Sequence, residues 1–414
     1  MNDFKQYMTD DFEGFKRDLN GLIEIPSVTA DRVKSVEALD YVIGLARKYD
    51  LNAYTVAGGR VGIVEYGEGG ETLGVLAHVD VVESNASEWR FPPFKLTDYD
   101  GRLYGRGVQD DKGAVMMILY VLKFFHENNV SVSTKIQLII GTQEESTWED
   151  MDAYRDEMQA PDYGFTPDGE FPVSNAEKGY IDLDLSFHSK TITAIDGGNA
   201  HNTIPSLVNI TANATSYTIV GKAAHSSAPW EGINAIVKAA KELSGTVDED
   251  VFRYLSETYS EDDYIGGEGV TTIAPTLITM EGSRIILSVN VRTGYDQKNA
   301  DVISTFEKAG AEYGFSLSVQ PYAMEPIYVE PESGFLKLMK KAYDDVTGTD
   351  SCFTPGCGTS YAKALPNFVS FGPLFPGESD SAHQADENLA IEKVLLACEI
   401  YYEYMLSVIT SDRM

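Results

Sequence analysis

Residues 73–82, Leu-Gly-Val-Leu-Ala-His-Val-Asp-Val-Val, decide the fold of this chain. Their aliphatic and β-branched run is typical of a fully buried strand, and similar runs at 61–66 and 135–141 predict neighbouring strands. Side chains two positions apart on a strand share a face, so Asp80 can approach the ring of His78. Because burial of an unpaired carboxylate is costly, this pair needs an explanation. A metal-binding histidine held by a carboxylate explains it, and so does a satisfied pair in the core.

Composition and charge narrow the class of protein. A chain of 414 residues with 43% apolar and 23% charged residues is expected to form a soluble globular protein of two or three domains. Its net charge of −32 argues against binding to nucleic acids or anionic membranes. Residues 1–15 lack the apolar core of a signal peptide, and the longest apolar run, 114–122, is about half of a membrane span. Three cysteines form neither a disulfide framework nor a zinc knuckle, so we expect a cytoplasmic protein.

The pattern of apolar residues changes twice along the chain. At first, strand-like runs alternate with helical patterns, which predicts an α/β domain with a largely parallel sheet. From Gly179 the strands alternate apolar and polar residues, as in an open sheet with one exposed face. The first pattern returns after Ala323. We therefore predict a large domain over 1–178 and 324–414, with a smaller α+β domain, 179–323, inserted into it.

Polar clusters lie at the ends of the predicted core strands or in the adjoining loops. They occupy residues 105–113, 141–146, 166–172 and 377–387, the last just before a final helix predicted over 388–408. Each cluster alone is weak evidence, because paired aspartates also cap helices. Ligands of open α/β sheets, however, bind at the carboxyl ends of the strands. Together with residues 73–82, the clusters contain two histidines and several carboxylates. This is the inventory of a two-metal hydrolytic site, and its donors suit Zn²⁺, or harder ions such as Mn²⁺ or Co²⁺.

The order of these clusters resembles a known family. The motifs are HxD from His78, GRGxxDDKG from Gly105, EES from Glu144, PDGEFP from Pro167, GKAAHS from Gly221 and AHQADE from Ala382. They are similar to those of the di-zinc exopeptidases and deacylases, which include acetylornithine deacetylase, succinyl-diaminopimelate desuccinylase, carboxypeptidase G and carnosinase. The likeness is greatest to the PepV-type bacterial dipeptidases. It covers nearly the whole chain and implies a phosphorylase/hydrolase-like, three-layer α/β/α catalytic domain with an inserted α+β lid domain.

The resemblance assigns roles to residues of the large domain. By it, the metal ligands are His78 and Asp168 for one ion, Glu145 and His383 for the other, and Asp110 between the two. Asp80 would orient His78, and Glu144 would be the general base for a water molecule that bridges the metals. The two divalent ions would be Zn²⁺, with Mn²⁺ or Co²⁺ as alternatives. The family also carries a cis peptide after the bridging aspartate, here between Asp110 and Asp111.

The resemblance also implies contacts with the substrate. His225 would polarise the scissile carbonyl oxygen, and Arg292 would hold the C-terminal carboxylate of the substrate. Asn202 resembles an asparagine near that carbonyl. Gly358 and Thr359 fall in a stretch similar to the glycine-rich substrate loop of the family. From the residues alone, a histidine beside serines in a turn is more often structural, and Arg292 stands before Thr-Gly where the family has Tyr-Pro.

Three functions fit these observations. The first is a metal-dependent dipeptidase or related exopeptidase that acts on short peptides with a free carboxylate. The second is an N-acyl-amino-acid amidohydrolase of the same family, which would not require a free amine. The third is a homologue that binds a peptide or a metal without turnover. We expect a small peptide as the partner, and either a monomer or a homodimer formed through the inserted domain.

Overall fold

The structure is a computed structural model that describes residues 3–259, 270–356 and 359–410. The chain forms two compact units. The first contains Met1–Asn175, Val329–Thr354 and Ser360–Met414, and the second contains Ala176–Tyr328 and Pro355–Thr359.

The helices and strands follow one another in chain order. Before the second unit, the helices are α1 (Phe4–Asp10), α2 (Phe12–Ile23), α3 (Arg32–Lys48), α4 (Lys112–Glu127) and α5 (Glu149–Glu157). The strands of that part are β1 (Asn52–Val56), β2 (Val61–Tyr66), β3 (Thr72–His78), β4 (Thr97–Tyr99), β5 (Arg102–Tyr104), β6 (Lys135–Gly141), β7 (Tyr163–Thr166) and β8 (Val173–Ser174). The second unit has strands β9 (Ala176–Glu177), β10 (Tyr180–His188), β11 (Ile192–Gly197), β12 (Thr203–Ile204), β13 (Leu207–Ala212), β14 (Thr215–Val220), β15 (Ala224–His225), β16 (Thr272–Glu281), β17 (Arg284–Arg292), β18 (Phe315–Met324) and β19 (Ile327–Tyr328). Its helices are α6 (Ala235–Leu243), α7 (Asp250–Thr258) and α8 (Asn299–Tyr313), and the chain then returns through α9 (Gly334–Thr347), β20 (Phe368–Phe371), β21 (Asn388–Ala390) and α10 (Ile391–Thr410).

The first unit is built on a mixed sheet with the strand order β1-β2-β6-β3-β7-β20-β8. Its central strands β6, β3, β7 and β20 run parallel, whereas β1, β2 and β8 pair antiparallel at the two edges. The prediction of a largely parallel sheet is therefore confirmed at the centre, and the pairs at the two edges are antiparallel. At one edge the reason is local, because a tight turn joins β1 to β2 and such a connection allows only an antiparallel pair.

Helices cover this sheet because their apolar faces must be buried. α4 is apolar around its circumference, and its residues are buried without interruption from Lys112 to Phe125. It packs against β3, α2 and α10, while α3 packs against β1 and β2. The unit is the three-layer α/β/α domain that the resemblance implied. Among the residues that the structure describes, no helix combines the length and the apolar character needed to cross a membrane.

The parallel strands end at one edge of the sheet, where the polar clusters begin. β3 and β6 pair so that His78 lies opposite Gly141, and β7 ends at Thr166, shortly before Asp168. The prediction of one strand over 73–82 is wrong beyond His78. There the chain leaves the sheet, because Val81 pairs instead with Val28 in an isolated parallel bridge.

The second unit is an α+β domain on an antiparallel sheet. Its strand order is β14-β13-β11-β16-β17-β10-β18, and every neighbouring pair runs antiparallel. Alternate residues of β10, such as Ile181 and Leu183, enter a core that α6, α7 and α8 share. The intervening residues of this strand include Asp182 and Asp184.

Two short pairings set the limits of the second unit. β9 and β19 pair antiparallel, and Glu177 forms a parallel bridge with Gly356. These pairings join residues 176–178, 324–328 and 355–356 to a unit that otherwise covers the predicted insertion.

The last helix begins later than its apolar pattern suggests. Residues 388–390, predicted as its first turn, form β21 and pair antiparallel with β5. Periodicity could not detect this difference, because the backbone hydrogen bonds of these residues go to a strand that is distant in sequence.

Candidate metal centre

The predicted metal ligands and Glu144 form two groups in the first unit. The first group is His78, Glu144 and Asp168, and the second is Asp110, Glu145 and His383. Within each group, one nitrogen or oxygen atom of each residue lies within 4.8 Å of the others. The fold thus brings together residues from separate stretches of the chain, all of them at strand ends or in loops.

Asp110 lies between the two histidines. Its Oδ1 is 3.0 Å from Nε2 of His78, and its Oδ2 is 3.0 Å from Nε2 of His383. Oδ2 of Asp168 lies 3.7 Å from Nε2 of His78, and Oε1 of Glu145 lies 3.0 Å from Nε2 of His383. Each histidine therefore faces one carboxylate of its own and shares Asp110 with the other. A carboxylate that bridges two cations needs this arrangement.

Two atoms at the centre of the cluster are buried without hydrogen bonds. Within the described residues, neither Nε2 of His78 nor Oδ1 of Asp110 has a hydrogen-bond partner, although the two atoms are 3.0 Å apart. A buried polar atom without a partner costs about 1–3 kcal/mol, so native structures rarely leave one. A cation would satisfy both atoms. Imidazole nitrogen and carboxylate oxygen are ligands suited to Zn²⁺, Mn²⁺ or Co²⁺, so these residues fit the metals that the family implies.

The charge of the cluster also fits cations. Burial raises the pKa of Glu144 and the pKa of Asp168, and nearby carboxylates add to both shifts. Hydrogen bonds to Asp110 and Glu145 raise the pKa of His383 to about 11. These shifts share a cause, since the partly buried carboxylates of the two groups outnumber the histidines that could balance them. Divalent cations would balance this negative charge.

Asp80 supports His78 and the adjacent glutamates. Nδ1 of His78 lies 3.0 Å from the backbone oxygen of Asp80 and 3.5 Å from its Oδ1. Because a carbonyl only accepts, the ring proton lies on Nδ1, and Nε2 is left to bind a metal. The carboxylate of Asp80 accepts the backbone N–H groups of Glu144 and Glu145, both at 3.1 Å. The expectation that a shared strand face joins Asp80 to His78 is wrong, since Asp80 lies past the strand end.

The loop of Asp110 and the loop of His383 are joined by residues whose role the sequence pattern did not reveal. Glu387 is fully buried, and its carboxylate accepts a hydrogen bond from Nη1 of Arg106 at 2.8 Å. It also accepts, at 2.8–3.1 Å, the backbone N–H groups of Gly107, Gln109 and Asp110. The available signal was a charged residue inside the AHQADE motif, four positions after His383.

The loop that carries Asp110 has one further predicted feature. The peptide bond between Asp110 and Asp111 is cis, so this prediction is confirmed. The next side chain, that of Asp111, is buried and accepts the backbone N–H of His78 at 3.2 Å.

The substrate residues predicted in the second unit lie on elements that contact one another. His225 ends β15, which pairs with β12, and the backbone oxygen of Asn202 accepts the N–H of Ser226 at 2.9 Å. The hydroxyl of Ser226 donates to Oδ1 of Asn290 at 2.8 Å. Asn290 lies on β17, and Arg292, two residues later on the same strand, is buried. The structure thus connects the backbone around Asn202 and His225 to the strand that carries Arg292.

The surroundings of His225 determine which nitrogen carries the proton. The backbone N–H of Ser227 donates to Nδ1 of His225 at 3.2 Å, and the hydroxyl of Ser227, 2.6 Å from the same nitrogen, can donate to it as well. With Nδ1 as the acceptor, the neutral ring carries its proton on Nε2. Burial and the positive charge of Arg292 lower the pKa of His225. The guanidinium of Arg292 lies 4.7 Å from the centre of the Tyr180 ring. His225 can therefore offer an N–H donor from a neutral ring.

The predicted substrate loop is described only in part. Thr359 is partly buried in the second unit. Gly358 lies outside the described residues, so its predicted role stays a prediction.

Comparison with known proteins identifies the family. Residues 74–407 match the model of Peptidase family M20/M25/M40, and the chain belongs to this family of metallopeptidases. The Bacillus subtilis protein "Putative dipeptidase YtjP" is 30% identical over 396 residues, which cover 83% of this chain and 84% of that protein.

Solved structures share the fold at lower identity. Human carnosine dipeptidase 1 has a TM-score of 0.66 at 14% identity, and the match covers 99% of this chain and 98% of that one. The Bacillus subtilis YxeP protein, described as a dinuclear metal binding peptidase from the M20 family, has a TM-score of 0.57 at 13% identity, with 96% and 99% covered.

Proposed function

We propose that this protein is a metal-dependent dipeptidase that hydrolyses short peptides with the help of two divalent cations. The observation that carries the proposal is the position of Asp110, 3.0 Å from Nε2 of both His78 and His383. The name of the Bacillus subtilis relative supports a dipeptide substrate, and the description of YxeP supports two metals. Zn²⁺ is the expected metal, with Mn²⁺ and Co²⁺ as alternatives.

Each cation would have its own ligands and share one. The proposed ligands are His78 and Asp168 for one cation, Glu145 and His383 for the other, and Asp110 for both. When bound, the cations would lower the pKa of a water molecule and polarise the scissile carbonyl.

Glu144 would relay the proton of the reaction. Its carboxylate would accept a proton from the attacking water and return that proton to the leaving amine. Burial raises the pKa of Glu144 above its usual value, and nearby carboxylates add to this shift. Its neighbour Glu145 contacts His383, whereas Glu144 belongs to the group of His78, so the two glutamates are free to act differently.

Residues of the second unit would bind the peptide. His225 would donate its Nε2 proton to the carbonyl oxygen as negative charge develops there. Arg292 would bind the carboxylate of the substrate through its guanidinium, a group suited to paired hydrogen bonds. Asn202, Gly358 and Thr359 would contact the peptide backbone.

The test is hydrolysis of a panel of unblocked dipeptides by protein loaded with Zn²⁺, Mn²⁺ or Co²⁺. We expect Glu144→Gln to lower kcat by about 10²–10⁴-fold, the usual contribution of a positioned acid and base. Glu149→Gln is the matched control, because this side chain is 57% exposed in the same part of the chain. Full activity of Glu144→Gln would refute the assignment. Hydrolysis of N-acyl amino acids without hydrolysis of dipeptides would instead assign the amidohydrolase activity.

A further inference from the structure

We propose that Asp150, which belongs to none of the motifs above, is a positioning residue for Glu144 and Glu145. The inference rests on the proposed function, since it concerns the residues assigned there as base and ligand. Asp150 is the second residue of α5, and its side chain is fully buried. Its carboxylate contacts the loop before α5 and the hydroxyl of Tyr361.

Buried carboxylates hold a run of successive backbone amides in this loop. Oδ2 of Asp150 accepts the N–H groups of residues 142 and 143, at 2.6 and 3.0 Å. Asp80 accepts those of the next two residues, Glu144 and Glu145, at 3.1 Å each. Fixing successive amides restricts φ and ψ between them, and these angles set the directions of the side chains. Asp150 and Asp80 together therefore determine where the two glutamates point.

Tyr361 connects the same carboxylate to His78. Its hydroxyl donates to Oδ2 of Asp150 at 2.7 Å. Its ring meets the rings of His78 and Trp148 edge to face, with centroid distances of 6.0 and 5.1 Å. Trp148 in turn donates its Nε1 proton to the backbone oxygen of Glu144 at 2.7 Å. One set of contacts thus supports both the histidine of one proposed metal position and the loop of the glutamates.

The end of β6 leaves room for this pair. A Cβ atom on Gly141 would lie 2.5 Å from the hydroxyl oxygen of Tyr361 and 2.8 Å from Oδ2 of Asp150. Gly141 is the residue that lies opposite His78 on the neighbouring strand. The absence of a side chain there allows the carboxylate and the phenol to approach the strand end.

The first unit contains a matched comparison for this pair. Asp18 is 3% exposed, and its Oδ2 accepts the hydroxyl of Tyr120 at 2.7 Å and also the hydroxyl of Tyr49. Asp18→Asn and Tyr120→Phe therefore remove the same chemical groups as Asp150→Asn and Tyr361→Phe. Tyr120 lies on α4 and Tyr49 directly follows α3, so these hydrogen bonds do not involve the loop that carries Glu144 and Glu145.

The experiment compares these four variants in the full chain. We would measure kcat and KM for a dipeptide, the Kd of metal-stripped protein for Zn²⁺ by competition with a chromophoric chelator, and the Tm of the stripped protein. Residues that support metal ligands typically contribute about 10–100-fold to affinity or activity. We expect Asp150→Asn to weaken Zn²⁺ binding and to lower kcat, each by about 10–100-fold, with little change in KM. Tyr361→Phe should also weaken Zn²⁺ binding and lower kcat. The two control variants should lower the Tm similarly and leave kcat and Kd within about twofold, since they act on folding alone.

Unchanged kcat and Zn²⁺ affinity in Asp150→Asn or in Tyr361→Phe would overturn the proposal and leave a purely structural role. If Asp150→Asn does not fold, Tyr361→Phe carries the test, because it removes one hydrogen bond that fixes the position of this carboxylate and leaves the carboxylate itself in place. Failure of the wild-type protein to hydrolyse any dipeptide would refute the proposed function only. The Zn²⁺ affinities would still test the positioning role in that case.

Discussion

His78 and His225 offer opposite chemistry because their neighbours hold the ring proton on different nitrogens. The carbonyl of Asp80 accepts from Nδ1 of His78, which leaves the lone pair of Nε2 for a metal. The backbone N–H of Ser227 donates to Nδ1 of His225, which leaves a proton on Nε2. The same side chain therefore offers a lone pair in one unit and an N–H group in the other, which fits the proposed roles of ligand and donor.

The donor role proposed for His225 predicts a specific loss of activity. We expect His225→Ala to lower kcat by about 10²–10³-fold, the typical effect of removing one donor to a developing oxyanion. Zn²⁺ affinity should not change, because no proposed metal ligand is altered. His188→Ala, at the exposed end of β10, is the control. A His225→Ala protein with wild-type kcat would contradict the role.

The pKa of His225 should depend on Arg292. Burial and the charge of Arg292 hold this pKa below its usual value, so Arg292→Gln should raise it, and ring protonation should begin at a higher pH. The measurement is a titration of histidine rings labelled with ¹³C, followed by NMR. Arg284→Gln, at the other end of β17 and exposed, is the control. A pKa that stays the same or falls in Arg292→Gln would contradict the electrostatic explanation.

At the scale of elements, strand ends and loops carry the proposed ligands, and tight packing holds these loops in place. The loop before α4 makes a close approach, since a Cβ on Gly113 would lie 1.9 Å from the backbone oxygen of Val108. Any other residue at this position must displace the segment that contains Asp110. The glycine is required here by space rather than by its φ angle.

Gly113→Ala should therefore destabilise the protein by about 1–3 kcal/mol, the usual cost of overpacking. Gly44→Ala is a matched control, because its Cβ would meet nothing within 4 Å inside helix α3. Alanine there should stabilise the protein by about 0.5–1 kcal/mol through helix propensity. The midpoints of urea unfolding, followed by circular dichroism, measure both effects. The same direction of change in the two variants would contradict the steric argument.

At the scale of the whole molecule, metals should contribute to stability as well as to catalysis. The partly buried carboxylates of the centre outnumber its histidines, and the chain as a whole has a net charge of −32. A ligand that binds only the folded state stabilises it, by about 2.7 kcal/mol when its free concentration is one hundred times its Kd.

We therefore expect removal of metals with a chelator to lower the Tm, and Zn²⁺, Mn²⁺ or Co²⁺ to restore it. The gain should shrink in His383→Ala, which removes one proposed ligand, and persist in His126→Ala, which lies outside both groups. Equal addition of Mg²⁺ controls for general screening of the negative charge. A Tm that does not respond to Zn²⁺ in the wild-type protein would rule out a stabilising metal centre.

Local pattern was sufficient for much of the fold. The strands predicted over 61–66 and 135–141 have those limits in the structure, since each is an apolar run flanked by polar residues. The pattern failed where a distant partner takes the backbone hydrogen bonds. Val81 reads as strand but pairs with Val28, and residues 388–390 read as helix but pair with β5.

The sequence by itself determined the residue types of the centre, because metal ligands and bases need particular functional groups and these occur in recognisable order. Only the tertiary structure decided which carboxylates face the histidines and which hold the loops. In sequence, Asp150 is an ordinary acidic residue of a first helical turn, and Glu387 is one of several acids near His383. Their tasks depend on backbone N–H groups that face them across the fold. Hydrogen bonds require an approach of about 3 Å, and spacing along the chain does not specify that distance.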